Sequence, residues 1–168
     1  MTSEADLESR FPGLKGTEYR ITSKDDKKYN CIAWAAGDNK RWWEPEPMRQ
    51  YYWPRLAPLC RSLEAHMKAF ETIGYAQCED GKPEESFEKI AIFFQGKAIH
   101  AAREHDGAWT SKIGELVDIR HELHALAGAE YGLPTIFMKR PIRGSRASAS
   151  GASRASETGN ETASASKR

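Results

Sequence analysis

The chain has little cysteine, only Cys31, Cys60 and Cys78. Three thiols at unrelated spacings argue against a disulfide framework, and no Cys-x-x-Cys pair suggests zinc. A reducing, cytoplasmic setting is the expectation. No apolar run reaches about 18 residues, so neither a membrane helix nor a membrane partner is predicted. The first residues, Met1-Thr2-Ser3-Glu4-Ala5-Asp6-Leu7, have no basic region and no apolar stretch, which argues against a secretory signal. Charge of one sign is not in excess either: 25 Lys and Arg face 24 Asp and Glu, for a net of +1. That balance gives no general pull toward nucleic acid.

What is present divides into three parts. Residues 1–14 read as a polar, flexible lead. Residues 15–142 carry the apolar pattern of one folded domain. Residues 143–168 are rich in Ser, Ala and Arg and hold net +3, which leaves −2 on the remainder. So little in this tail can be buried that it is expected to be disordered. A solubilising role for it is favoured over weak anion or nucleic-acid attraction.

A short helix is predicted from Asn30, a good N-cap residue, to Gly37, the expected left-handed stop. It is apolar on nearly every side and should be buried. Residues 42–54 form a loop rich in Trp, Tyr and Pro. Apolar spacings of three and four predict a helix over 56–73. The pattern then becomes strand-like. Residues 89–94 read as a covered central strand, Gln95-Gly96 as a tight turn, and Asp106-Gly107 as a stronger hairpin signal. Residues 89–113 thus form a β-meander. A short helix over 116–126 and a last strand over 135–138 complete the domain. The fold class expected is α+β, with a helical half on a small antiparallel sheet.

The chemistry is expected around Cys31. A cysteine at a helix start lies near free N–H groups that stabilise a thiolate or an oxyanion. His100 sits within Ile99-His100-Ala101-Ala102-Arg103, where a titratable ring needs a reason. With Gln95-Gly96 as the turn, His100 pairs with Ala91. With a two-residue turn at Asp106-Gly107, Ser111 and Trp109 share the face of His100. A three-residue turn substitutes Thr110. Asp118 is a third candidate for orienting the ring. Asn30, Trp34, Trp42, Trp43, Arg103, Trp109, Lys112 and His121 are the substrate-binding candidates. His121 and His124, without further ligands, read as a solvated helix face rather than a metal site.

The blocks Asn30-Cys31 through Ala36 and Ile90 through Ala101 resemble the papain-like superfamily in its broad sense, which includes NlpC-type and transglutaminase-like enzymes. That resemblance implies a cysteine opening a buried helix, with a histidine and a polar residue on adjacent strands. One departure is plain: Lys89 stands where NlpC-type enzymes carry their histidine. The span Tyr29–Pro141 also resembles a bacterial domain-of-unknown-function family. Its members share the Asn-Cys-Ile-Ala-Trp-Ala, His-Ala-Ala-Arg and Trp-Thr-Ser-Lys blocks.

The leading expectation is thiol-dependent hydrolysis or acyl transfer at an amide bond of a peptide or other amide. Cys31 would be the nucleophile and His100 the base, with no metal or cofactor required. The alternative is a non-catalytic module of the same type that binds a protein partner through loop 42–54. Nothing in the sequence determines the oligomeric state.

Overall fold

In the computed structural model, which describes residues 1–144, the strands form a single antiparallel sheet. The strands are β1 (Arg20–Ile21), β2 (Ala76–Cys78), β3 (Phe87–Gln95), β4 (Ala98–His105), β5 (Ala108–Lys112), β6 (Asp118–His121) and β7 (Leu133–Pro141). Their order across the sheet is β1-β6-β5-β4-β3-β7-β2, with every pairing antiparallel. The helices are short: α1 (Glu4–Arg10), α2 (Cys31–Ala36) and α3 (Leu63–Glu71). The expected tail falls almost wholly outside the described residues. Among those described, no helix is long and apolar enough to cross a membrane.

This is a small, mostly β fold and corrects the papain-like α+β expectation. Two segments account for the missing helix. Pro58, which lacks the N–H a helix interior needs, lies within the expected 56–73, and the helix starts only after the Ser62 cap, at 63–71. Residues 116–126 satisfied a helical spacing, yet Val117 and Ile119 also sit two apart. The chain uses that period, forming β6 against β5 and then a 3-10 turn at Leu123–Leu126.

Strand β3 is covered on both faces. Ile90 and Ile92 pack with α2, α3, Trp43 and Trp53 on one side. Ala91 and Phe93 pack on the other with Leu7, Phe11, Leu14, Trp109, Ile113 and Leu126. The N-terminal residues are therefore not a loose lead. Ser3 and Asp6 form a reciprocal capping box that starts α1, and Leu7 and Leu14 are fully buried. Each such side chain contributes about 1.5–3 kcal/mol of burial.

The first hairpin turns at Gly96-Lys97, one residue later than expected. Gly96 takes φ 60°, and Gln95 pairs with Ala98. Glycine at the first central position suits the twist that flanking strands require. His100 consequently opposes Phe93 rather than Ala91, on the same face of the sheet. The second hairpin turns at Asp106-Gly107, both with positive φ, so the two-residue alternative applies.

Candidate functional site

Strands β4 and β5 pair only from Arg103–Thr110 to His105–Ala108. Past Thr110, β5 stays with β6, through Ser111–Ile119 and Lys112–Asp118. Residues 98–102 of β4 are therefore left with β3 alone. The start of α2 sits against this opening, in contact with both β4 and β5. The backbone N–H of Ala101, which has no β5 partner, meets the Cys31 sulfur.

Asn30 caps α2 and also lines the Cys31 cleft. Its Oδ1 accepts from Ala33 N (3.1 Å) and Trp43 N (3.3 Å), while Nδ2 donates to the Trp43 carbonyl (2.7 Å). One buried amide thus starts α2 and ties the aromatic loop to it. Trp34 serves the same docking: its Nε1 donates to Thr110 Oγ1 (3.1 Å). Thr110 in turn donates to the Arg103 carbonyl (3.2 Å) and makes no bond to His100.

On the opposite face, His100 is fully buried and its Nε2 lies 3.0 Å from Ser111 Oγ. Ser111 Oγ lies 2.8 Å from His121 Nε2, and His121 Nδ1 lies 2.7 Å from the Glu122 carbonyl. Proton positions follow from donor and acceptor chemistry. A carbonyl only accepts, so His121 Nδ1 carries the hydrogen and its Nε2 is an acceptor. Ser111 must then donate to His121, which leaves its lone pairs for His100 Nε2–H. His100 Nδ1 is thereby left as a bare lone pair, buried and without a partner. Burial holds both rings neutral. His121 is depressed to about 4, and His100 lies well below its ordinary value through burial and then the nearby His121.

Tyr131 stacks on His100, with ring centroids 4.0 Å apart and planes 4° from parallel. It is held in a loop whose ends, Gly128 and Gly132, exchange backbone hydrogen bonds. Gly132 has φ 74°, and a Cβ there would stand 2.3 Å from the Phe94 carbonyl oxygen, so only glycine fits. Cys31, Tyr131, Trp42 and Trp43 line one cleft of about 330 Å3. Cys31 is half-buried in it. The expected lowering of its pKa is not found: burial pushes the thiol up to about 11, against the opposing N–H groups of Ala101, Ile32 and Cys31.

The other candidates lie elsewhere. Asp118 accepts from the Tyr29 hydroxyl (2.7 Å) and stands 4.0 Å from Lys112 Nζ. Lys112 is fully buried, donates to the Leu116 carbonyl and lies over the Tyr29 ring. This cluster ties β5 and β6 to the start of α2, and Asp118 Oδ1 is left buried with only the Lys112 charge near it. Trp109 belongs to the core beneath α1. Arg103 is bound to Glu88 near the far end of α2. Lys89 is buried and pairs with the more exposed Asp80 and Glu84. Sequence reasoning missed Tyr131 and the linking role of His121. Neither carries a local pattern, since both depend on pairings across the fold. Among the described residues, no group of three or more His, Cys, Asp or Glu side chains is arranged to hold a metal.

A family model described as a domain of unknown function, DUF7689, matches residues 20–139. The chain belongs to the DUF7689 family. The matched span includes all seven strands except the last two residues of β7, and it contains Cys31, His100, Ser111, His121 and Tyr131. Helix α1, which covers part of the DUF7689 sheet, lies before it. Neither a curated protein nor a solved structure matches the chain.

Proposed function

We propose that this domain carries out thiol-dependent acyl chemistry at an amide bond, with Cys31 as nucleophile and His100 as base. The observation that carries this reading is the bare Nδ1 of His100. A buried, unpartnered acceptor costs about 1–3 kcal/mol, and the Glu122–His121–Ser111 chain holds the ring in the tautomer that keeps it bare. The next residue, Ala101, meets the Cys31 sulfur with its N–H, and Tyr131 touches both the cleft and the His100 ring.

In the step proposed, the Cys31 thiol, which makes no hydrogen bond to His100 in the resting structure, turns toward Nδ1 and gives up its proton there as sulfur bonds to the substrate carbonyl carbon. The amide C–N bond then breaks, and the leaving amine takes the proton from His100. Water or a second amine releases the acyl group from sulfur. Because the resting thiol is neutral, proton transfer accompanies attack instead of preceding it. The N–H groups of Ala101 and Ile32, which meet the sulfur in the resting structure, are the donors this reading assigns to the oxyanion.

The competing reading, a binding module, draws on the exposed Met48, Tyr51 and Leu56 in and just after the aromatic loop. The discriminating measurement is acetylation of Cys31 by p-nitrophenyl acetate, followed by peptide mass spectrometry with Cys60 and Cys78 as references. Base-assisted attack predicts acetylation at neutral pH that drops in His100→Ala and, less steeply, in Ser111→Ala. A Cys31 that stays unmodified until the chain unfolds is a core thiol, and the binding reading replaces this one.

A further inference from the structure

The C-terminal end of α2 carries a second feature, independent of the Cys31 cleft. Glu88 is buried and receives two arginines from neighbouring strands. Its Oε2 accepts from Arg103 Nε (3.1 Å) and Nη2 (2.6 Å), and its Oε1 accepts from Arg140 Nε (2.5 Å). Arg140 is fixed further by donating Nη1 to the Ile73 carbonyl (3.2 Å) and by lying over the Tyr75 ring at 4.5 Å. One nitrogen of each guanidinium is left over: Nη1 of Arg103 and Nη2 of Arg140. Neither has a hydrogen-bond partner among the described residues.

Those two nitrogens converge. A Cβ built on Gly37 would lie 3.4 Å from Arg140 Nη2 and 3.5 Å from Arg103 Nη1, and otherwise only the Arg103 guanidinium carbon comes as close as 4.0 Å. Gly37 needs its φ of 82° to end α2, and its missing side chain leaves the space between the two forks open. The space opens into a groove of about 880 Å3 that Lys40, Arg41 and Arg143 also line. Five cationic side chains there face two carboxylates, Asp38 and Glu88. Asp38 is already engaged by Arg41 at 2.7 Å, and Glu88 by the two forks.

We propose that this groove is a binding site for a phosphate dianion, free or as a monoester. One carboxylate behind the two guanidiniums pre-sets their planes, so little side-chain entropy is lost on binding. Two charged guanidinium nitrogens aimed at one point, one from each arginine, suit a ligand with several oxygens around a single centre. The excess of positive charge favours a doubly charged group over a carboxylate. The final carbonyls of α2 oppose an anion, but they belong to a six-residue helix and are weaker than two adjacent full charges.

The test is a two-dimensional amide NMR titration of the full chain with inorganic phosphate and with phenyl phosphate, at ionic strength held constant with chloride. Saturable shifts at Gly37 and at the Arg103 and Arg140 side chains are expected with at least one probe. The tighter probe identifies the source as free phosphate or a monoester. Replacing one fork removes charged hydrogen bonds, so Arg140→Gln should weaken binding about tenfold or more. Arg103→Lys keeps the charge beside Glu88 and should still weaken binding, while Lys40→Ala, at the surface, guards against loss of fold. Shifts no larger than chloride alone produces, or binding unchanged in folded Arg103→Lys and Lys40→Ala, would overturn the proposal.

Discussion

Lowering the pH from 7 to 5 should destabilise this protein through its buried histidines, before most carboxylates titrate. His121 has an ordinary value of 6.5 and is depressed by burial to about 4 in the fold. The unfolded chain therefore takes up the proton first, and the contribution of His121 is complete above the unfolded value and lost as pH falls toward the folded one. For one such group the loss between pH 7 and 5 is about 2 kcal/mol. His100 is held neutral as well, by burial and then by the nearby His121, and acts in the same direction. The His121 share alone is a large part of a domain stability that is typically of order 5–15 kcal/mol. Asp118 acts in the opposite direction, because burial raises its carboxyl and its protonation favours the fold. Urea unfolding at both pH values measures the sum. His121→Gln keeps an acceptor for Ser111 but cannot titrate, so the difference between wild type and variant isolates one histidine. A wild-type change below about 0.5 kcal/mol, with the same slope in His121→Gln, would refute the neutral buried chain on which the His100 tautomer depends.

Two substitutions test how the site is supported. Asn30→Ala removes the α2 cap and both links to Trp43, and should cost about 2–3 kcal/mol in thermal or urea unfolding. Asn30→Asp, which retains the acceptor but sets a carboxylate oxygen against the Trp43 carbonyl, should not recover that loss. Lys112→Met leaves the Asp118 carboxylate buried without its cation and should cost about 3 kcal/mol. Adding Asp118→Asn to Lys112→Met should recover part of that loss, as read by a double-mutant cycle; purely additive costs would mean that the two charges do not interact.

Features that depend on neighbouring residues were legible in the sequence. Asn30 and Gly37 bracket a helix because one supplies a side-chain acceptor and the other a left-handed backbone, and both act within a single turn. Asp106-Gly107 closes a two-residue hairpin for a similarly local reason, and that turn places Ser111 on the face of His100. The first hairpin slipped by one residue because Gly96 can occupy either central position of a turn, and only pairing across β3 and β4 chooses between them. The segment 116–126 was misread because its apolar residues satisfy both a helical and a strand period. The exposed side of β5 decided the outcome by offering hydrogen bonds to β6.

The site divides along the same line. The sequence by itself determined that Cys31 begins a short buried helix and that His100 lies in a strand. Tertiary structure alone decided what those residues meet. The parting of β4 from β5 exposes the Ala101 N–H to the sulfur, burial raises the thiol that helix position was expected to lower, and the Glu122 carbonyl sets a tautomer three hydrogen bonds away. Desolvation and proton position depend on everything packed around a group, and most of that lies far away along the chain.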